Sequence, residues 1–355
     1  MVSGYCGFGN AGDEAVLAGI AESFRATGGR HEIIPISANP KDTLSQHGLH
    51  AIPRNDVRGM LEAIRQADIF LSGGGSLFQD ATSARSAAYY LLQFWFASAI
   101  AQKPSVVFAQ GIGPLRRRWV RGLTRRALDR AALILLRDEQ SKGLLKQIGV
   151  KRPPIEVTAD PSFALPLVGR SEGKRLVEEF GLHGSEPVIA VCPRPWGSAE
   201  WAGVFADALA AAVREIGGRA LFLALHPKRD TTLAREMAAG IPGSVVAEQA
   251  VTFRDIRGAI AGSDMVIATR LHGTMFAVRE GIPAVGISYD PKVEAFCESC
   301  GLPYVKLEEL TAGNALARIR SAWRERESLA ASLALRSEEL ARAATRNAEL
   351  VSGLI

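Results

Sequence analysis

Asp264-Met-Val-Ile-Ala-Thr-Arg-Leu-His-Gly-Thr-Met-Phe-Ala-Val-Arg-Glu-Gly281 reads as a short buried strand, a turn, and an amphipathic helix that stops at a glycine. Arg270 and His272 fall at the turn. In an open α/β sheet that turn is the carboxyl end of a strand, where ligands bind, and the first backbone N–H groups of the next helix favour an anion. A fixed cation and a titratable imidazole two residues apart at such a place point to an acidic substrate that needs a proton. The plainer alternative is an Arg paired with a surface carboxylate and a His satisfied by backbone.

Working outward, strand-like and helix-like segments alternate along the whole chain, the pattern of parallel sheets with helices on both faces. Strands are expected over residues 2–5, 32–36, 68–71, 105–109 and 133–136, and again over 188–192, 219–224, 264–268 and 283–287. Several of the first set run straight into glycine, at Gly7-Phe-Gly-Asn-Ala-Gly12, Gly73-Gly-Gly75 and Gly111-Ile-Gly-Pro114. Such loops permit close backbone approach and would form a smooth floor at one edge of the sheet. Pro, Gly and charge replace periodicity at Lys151-Arg-Pro-Pro154 and at Leu165-Pro-Leu-Val-Gly-Arg-Ser-Glu-Gly-Lys174, which places a linker there. A chain of 355 residues is longer than one core usually grows. The expected division is 1–165, 166–310, and a helical segment rich in Ala, Leu, Arg and Glu over 311–355.

Composition is that of an ordinary soluble globular protein, 47% hydrophobic and 22% charged. The net charge of +5 suits a small anionic substrate or an acidic surface and is too weak to argue for nucleic acid. Four cysteines make neither a disulfide framework nor a four-ligand zinc site, and Cys297-Glu-Ser-Cys300 reads as one buried thiol with an incidental neighbour. The start, Met1-Val-Ser-Gly-Tyr5, has no basic region or long apolar core, so a cytoplasmic location is expected. The longest apolar run, residues 87–101, contains Gln93 and is shorter than the ~20 residues of a membrane span. It is expected as a helix buried between the sheet and a domain interface.

The opening loop Gly7-Phe-Gly-Asn-Ala-Gly-Asp-Glu-Ala15 has the glycine spacing of a dinucleotide fingerprint, but Asp13 and Glu14 at the start of the helix would repel a pyrophosphate. Asp13 is a candidate to orient or deprotonate a sugar hydroxyl, and Glu14 is read as complementing the helix dipole. In Val191-Cys-Pro-Arg-Pro-Trp-Gly197 the guanidinium of Arg194 sits between two prolines just past a strand, stiff enough to bind carboxylate or phosphate at small entropic cost. Leu225-His-Pro-Lys-Arg-Asp230 and Ser288-Tyr-Asp-Pro-Lys-Val-Glu-Ala-Phe296 end strands in the same way, with Lys292 the candidate cation. Arg137 follows the strand 133–136 and is a candidate anion contact. Arg116-Arg-Arg-Trp-Val-Arg121 and Arg125-Arg126 lie along one predicted helix, either a solvated basic face or one attracted to anionic lipid.

Taken together, Gly9-Asn-Ala-Gly-Asp-Glu14, Gly73-Gly-Gly-Ser-Leu-Phe-Gln-Asp80, Gln110-Gly-Ile-Gly-Pro114, Arg137-Asp138, Ala159-Asp-Pro161, Arg270-Leu-His-Gly273 and Ser288-Tyr-Asp-Pro-Lys292 resemble the polysaccharide pyruvyl transferase family. Each motif alone is loose; seven in order are specific. The likeness is close to the branch that pyruvylates the secondary cell-wall polymer of bacteria with S-layers. It implies a GT-B-like fold of two Rossmann-like domains facing a cleft, with long C-terminal helices. It also implies transfer of the enolpyruvyl unit of phosphoenolpyruvate to two hydroxyls of a sugar, giving a 4,6-linked pyruvate ketal and phosphate. The implied acceptor is a lipid-linked N-acetylmannosamine precursor, which would bring the enzyme to the inner face of the membrane. No cofactor beyond phosphoenolpyruvate as co-substrate and no metal is implied. The first strand begins at Met1, shorter than is usual in the family, which suggests a truncated start.

The residues suit that chemistry on their own terms. Protonating the methylene carbon of phosphoenolpyruvate leaves an oxocarbenium-like C2 for a sugar hydroxyl to attack, and imidazole is the natural acid, so His272 is the candidate. Arg270, Arg194, Arg137 and Lys292 are the expected clamp for carboxylate and phosphate, Asp13 the expected base, and Leu271, Gly273, Gly74 and Asn10 further substrate contacts. The rival enzyme reading is a nucleotide-sugar glycosyltransferase of GT-B architecture, which needs a ribose-gripping acid and a base-stacking pocket in the second domain. A sugar-polymer binding module would have no need for an imidazole amid four cations. The oligomeric state stays open.

Overall fold

In the computed structural model, which describes residues 1–354 apart from 82, 198–199 and 249–250, the chain forms two α/β units. One is Met1–Leu165 joined by the chain end from Leu340; the other is Pro166–Glu339. The first unit is a parallel sheet of β1 (Val2–Cys6), β2 (Pro35–Ser37), β3 (Ile52–Pro53), β4 (Phe70–Ser72), β5 (Ser105–Gln110), β6 (Leu133–Leu136) and β7 (Ile155–Val157), in the order β3-β2-β1-β4-β5-β6-β7. The second is a parallel sheet of β8 (Val188–Cys192), β9 (Arg219–Leu223), β10 (Val245–Ala247), β11 (Met265–Ala268), β12 (Ala284–Ser288) and β13 (Tyr304–Lys306), in the order β10-β9-β8-β11-β12-β13. Both are GT-B-type Rossmann-like sheets whose strand order reverses beside the first strand. The crevices of such sheets therefore open between β1 and β4 and between β8 and β11.

The central strands form because they are apolar on both faces. All six residues of β5 and all four of β6 are buried. Successive side chains alternate, so Val107 packs with Phe70, Phe78 and Phe94, whereas Val106 and Phe108 pack on the opposite face with Leu17, Ile20 and Phe24. The four strands missing from the sequence expectation, β3, β7, β10 and β13, are the four edges of the two sheets. Each is two or three residues long and mostly half-buried, so no apolar run announces it.

Three expectations need correction. Lys151-Arg-Pro-Pro154 is no linker: it leads into β7 inside the first unit, and the chain passes between units at Leu165 and Pro166. The segment 311–355 is helical but is not a body of its own. Helix Ala312–Arg324 belongs to the second unit, while Arg326–Ser352 begins there and ends in the first. Its last turns bury Ala348 and Val351 on the first sheet, and Asn347 accepts from the Thr158 hydroxyl at 2.5 Å and donates to the Ala159 carbonyl at 3.1 Å. Finally, the apolar run forms helix Ala84–Trp95 continued by a π turn, Phe96–Ile100, with Leu91, Phe94 and Ala97 buried but Leu92, Trp95 and Ile100 exposed. Among the described residues no helix is long and apolar enough to cross a membrane.

Candidate active site

In the second unit the carboxyl ends of β8, β9, β11 and β12, which are adjacent in the sheet, gather the charged residues. Arg270 caps the start of helix Leu271–Glu280 after β11, and Asp230 lies in the first turn of helix Pro227–Ala239 after β9. The two form a bidentate ion pair: Arg270 Nε donates to Oδ2 at 2.6 Å and Nη2 to Oδ1 at 2.5 Å. Asp230 Oδ2 also accepts from the His226 backbone amide at 2.8 Å. Asp230 is wholly buried and Arg270 is 8% exposed. Two of the three Arg270 nitrogens thus hold Asp230, and the pair ties the helix after β9 to the turn that carries His272.

Arg194 provides the less committed charge. Its Nη1 donates to the Tyr289 hydroxyl, and its guanidinium lies 4.5 Å from the Tyr289 ring centre and 5.3 Å from that of Trp196. Burial holds its pKa below the usual value, and Tyr289, Arg270, Asp230 and Arg229 all act on it. The structure thus brings together Arg194 and Arg270 from opposite sides of the β8–β11 crevice. Burial, then Arg270 and Arg229, likewise lower the pKa of His226.

His272 is the second residue of helix Leu271–Glu280, half-buried, its ring centre 5.9 Å from that of Phe276. Leu271 opens the helix and its carbonyl accepts from the Thr274 hydroxyl. Gly273 has a packing reason: a Cβ there would lie 2.8 Å from that of Ala268 and 2.9 Å from that of Cys192, so only glycine lets the helix start sit on the sheet. Lys292 is the second residue of helix Pro291–Ser299 after β12, and its backbone amide donates to Asp290 at 2.9 Å.

In the first unit the crevice between β1 and β4 carries the other set. Asn10 caps helix Ala11–Ala26, accepting from the Gly12 amide at 3.3 Å, and its own amide donates to Asp13. Asp13, with Gly4, Tyr5, Gly73 and Gly74, lines a cavity of about 10 Å³, the volume of a single water. Gly74 packs tightly: a Cβ would fall 2.7 Å from Val16 Cγ1. Glu14 does more than complement the dipole. It is buried and accepts from the Gly7 amide at 2.9 Å, while its second oxygen lies 3.0 Å from His47 Nε2.

Arg137, expected as an anion contact, donates to Asp160 at 2.7 Å and to Ser76 at 3.2 Å, with its side chain 5% exposed. These contacts tie the loop after β4 to that after β7. Cys297 and Cys300 are both buried thiols, the first pushed up to about 12 by burial. Among the described residues no three His, Cys, Asp or Glu side chains are grouped to hold a metal. Asp230, His226, Tyr289 and Trp196 escaped the sequence reading as site members, although all four lie in the strand-end stretches it had marked.

The topology has relatives among solved structures. HepE of Anabaena in complex with UDP-glucose superposes with a TM-score of 0.67 at 16% identity, covering 99% of both chains. UDP-GlcNAc 2-epimerase of Neisseria meningitidis bound to UDP-GlcNAc gives 0.65 at 12% identity, covering 99% of this chain and 98% of that one. At such identities the likeness concerns the GT-B fold alone. In sequence, the amylovoran biosynthesis protein AmsJ of Erwinia amylovora is 21% identical over 281 residues, 73% of this chain and 66% of its own length. The chain thus spans just under two thirds of that relative. The model of one family, the polysaccharide pyruvyl transferases, matches residues 10–291, carrying the motifs at Asn10–Asp13, Arg137 and Arg270–Gly273 that the two sheets hold at their strand ends, and to this family the chain belongs.

Proposed function

We propose that the protein transfers the enolpyruvyl unit of phosphoenolpyruvate to two hydroxyls of one sugar in a cell-wall polysaccharide precursor, forming a 4,6-linked ketal on a lipid-linked N-acetylmannosamine. The carrying observation is the β8–β11 crevice, where the turn bearing His272 is anchored by the Arg270–Asp230 pair beside Arg194. Arg194 and Lys292 bind carboxylate and phosphate, and the amides opening helix Leu271–Glu280 add to the positive potential. His272 delivers a proton to the methylene carbon, C3. The first sugar hydroxyl bonds to C2 and gives its proton to a base. The C2–O bond to phosphate then breaks, and the second hydroxyl closes the ring. Of the two hydroxyl protons, one replaces that taken up by C3 and the other leaves on phosphate. Phosphoenolpyruvate is a co-substrate, and no resident cofactor is required for this sequence.

A GT-B nucleotide-sugar glycosyltransferase is the second reading, favoured by one observation: the aromatic pair Trp196 and Tyr289 after β8 and β12, whose tilted rings offer apolar surface beside Arg194. Incubation of the protein and an N-acetylmannosamine-terminated lipid-linked acceptor with either phosphoenolpyruvate or UDP-sugars separates the two. Phosphate release with one solvent deuteron in the product methyl group is the expected result. UDP release without phosphate release would overturn the proposal.

A further inference from the structure

The same unit contains a larger cavity, of about 410 Å³, that the proposed chemistry does not use. It lies among the turn after β8, the turn after β12 and the segment after β13. Trp196, Trp201 and Tyr289 supply its apolar wall. The Trp196 and Tyr289 rings meet at 4.5 Å with a 37° tilt, and Trp201 is fixed by its indole N–H donating to the Trp196 carbonyl at 2.9 Å. Trp196 is still 37% exposed. The lining also carries three carboxylates, Asp290, Glu294 and Glu308, against one lysine, Lys306, among the described residues. Lys306 Nζ lies 3.6 Å from Glu294, which also accepts from the Ser288 hydroxyl at 3.1 Å.

These walls select a ligand by exclusion. Three carboxylates against one ammonium repel a phosphate or a second carboxylate, which argues against phosphoenolpyruvate and a nucleotide. A cation would be drawn to aromatic faces, but Arg194 already lies over both Trp196 and Tyr289 and is not part of the lining. What remains is a neutral molecule with an apolar face for the rings and donors for acceptor-only carboxylates. A pyranose ring has both, C–H bonds on its face and hydroxyls on its rim, and the volume falls within the ~300–1,000 Å³ of small-ligand sites. We propose that the cavity lined by Trp196, Tyr289, Glu294 and Asp290 is a pyranose-binding subsite for the acceptor glycan. The assignment of the ligand to an acceptor rests on the transferase reading above; the binding of a neutral sugar does not.

The test is saturation-transfer NMR on the full chain with the methyl glycosides of N-acetylmannosamine, N-acetylglucosamine, glucose and galactose, with UDP, choline and phosphoenolpyruvate as competitors. At least one glycoside should bind, with the strongest transfer to its ring C–H protons. Trp196→Ala should raise its Kd at least about tenfold, and Glu294→Gln severalfold, both with thermal melts matching the wild type to show that the fold persists. Absence of transfer from all four glycosides overturns the proposal, as does an unchanged Kd in both variants or displacement by UDP or choline. Phosphoenolpyruvate binding, read in the same samples, addresses the reaction separately. Glycoside binding without it would sink the donor assignment and leave the sugar subsite standing.

Discussion

Asp230→Ala removes, in one step, the acceptor of three hydrogen bonds: from Arg270 Nε at 2.6 Å, from Arg270 Nη2 at 2.5 Å and from the His226 amide at 2.8 Å. Asp230 is fully buried and Arg270 is 8% exposed, so water cannot readily replace the carboxylate. Breaking a buried pair from one side costs about 3–5 kcal/mol, since the remaining charge stays desolvated and unpaired. Arg270→Ala leaves the carboxylate with one amide donor and should cost about 3 kcal/mol. The double variant removes both charges, so its cost should fall short of the sum by about 2–3 kcal/mol. Asp230→Asn keeps the shape and one acceptor and should lie near 1.5–3 kcal/mol, the range for losing charge-assisted bonds. Native-state hydrogen exchange at β9 and β11 in urea reads this for the second unit alone. A loss of 4 kcal/mol corresponds to a fall in Tm of about 8–16 °C for a unit of this size. Additive single variants, or Asp230→Ala costing under about 1 kcal/mol, would show that the pair does not hold the His272 turn in place.

Three further outcomes are expected. His272→Ala should lose on the order of 10²–10⁴-fold in kcat with a smaller change in phosphoenolpyruvate affinity, and His272→Gln should match it in rate; a Gln variant with near-normal turnover would end the general-acid assignment. Because burial and then Arg270 and Arg229 depress the His226 pKa, the folded state takes up a proton less readily than the unfolded chain. Its contribution is therefore complete above the ordinary imidazole value of about 6.5 and is lost as pH falls through that value toward the folded one. Urea midpoints from about pH 8 to 5 should be flatter in His226→Gln, and identical slopes would refute this. Finally, Arg116, Arg118, Trp119 and Arg126 are exposed on and just before helix Arg118–Leu128, while the Asp80 carboxylate accepts the backbone amides of Arg116 and Arg117 at 2.6 and 2.7 Å and sets its start. Binding to phosphatidylglycerol vesicles should weaken with salt and by about 1 kcal/mol per Arg→Gln replacement. Equal sedimentation with uncharged vesicles would dismiss a membrane role for this helix.

What could be read from the residues alone is what depends on local order. Runs such as Leu133-Ile-Leu-Leu136 and Val188-Ile-Ala-Val-Cys192 are apolar because parallel strands are covered on both faces, and the glycines and charges after them mark where strands end. The edge strands β3, β7, β10 and β13 were not legible, since their half-buried residues are shaped by a neighbour distant in sequence. The role of each charge was not legible either. Arg137 and Arg270 look like Arg194 in sequence, three arginines past the ends of three strands, yet two are tied to Asp160 and Asp230 while Arg194 rests on aromatic rings. The partners stand 23 and 40 residues away from Arg137 and Arg270. Only the strand order, which sets β8 between β9 and β11, brings Asp230, Arg194 and Arg270 to one crevice, because a charge is defined by what the fold places beside it and strand order is a long-range property of the chain.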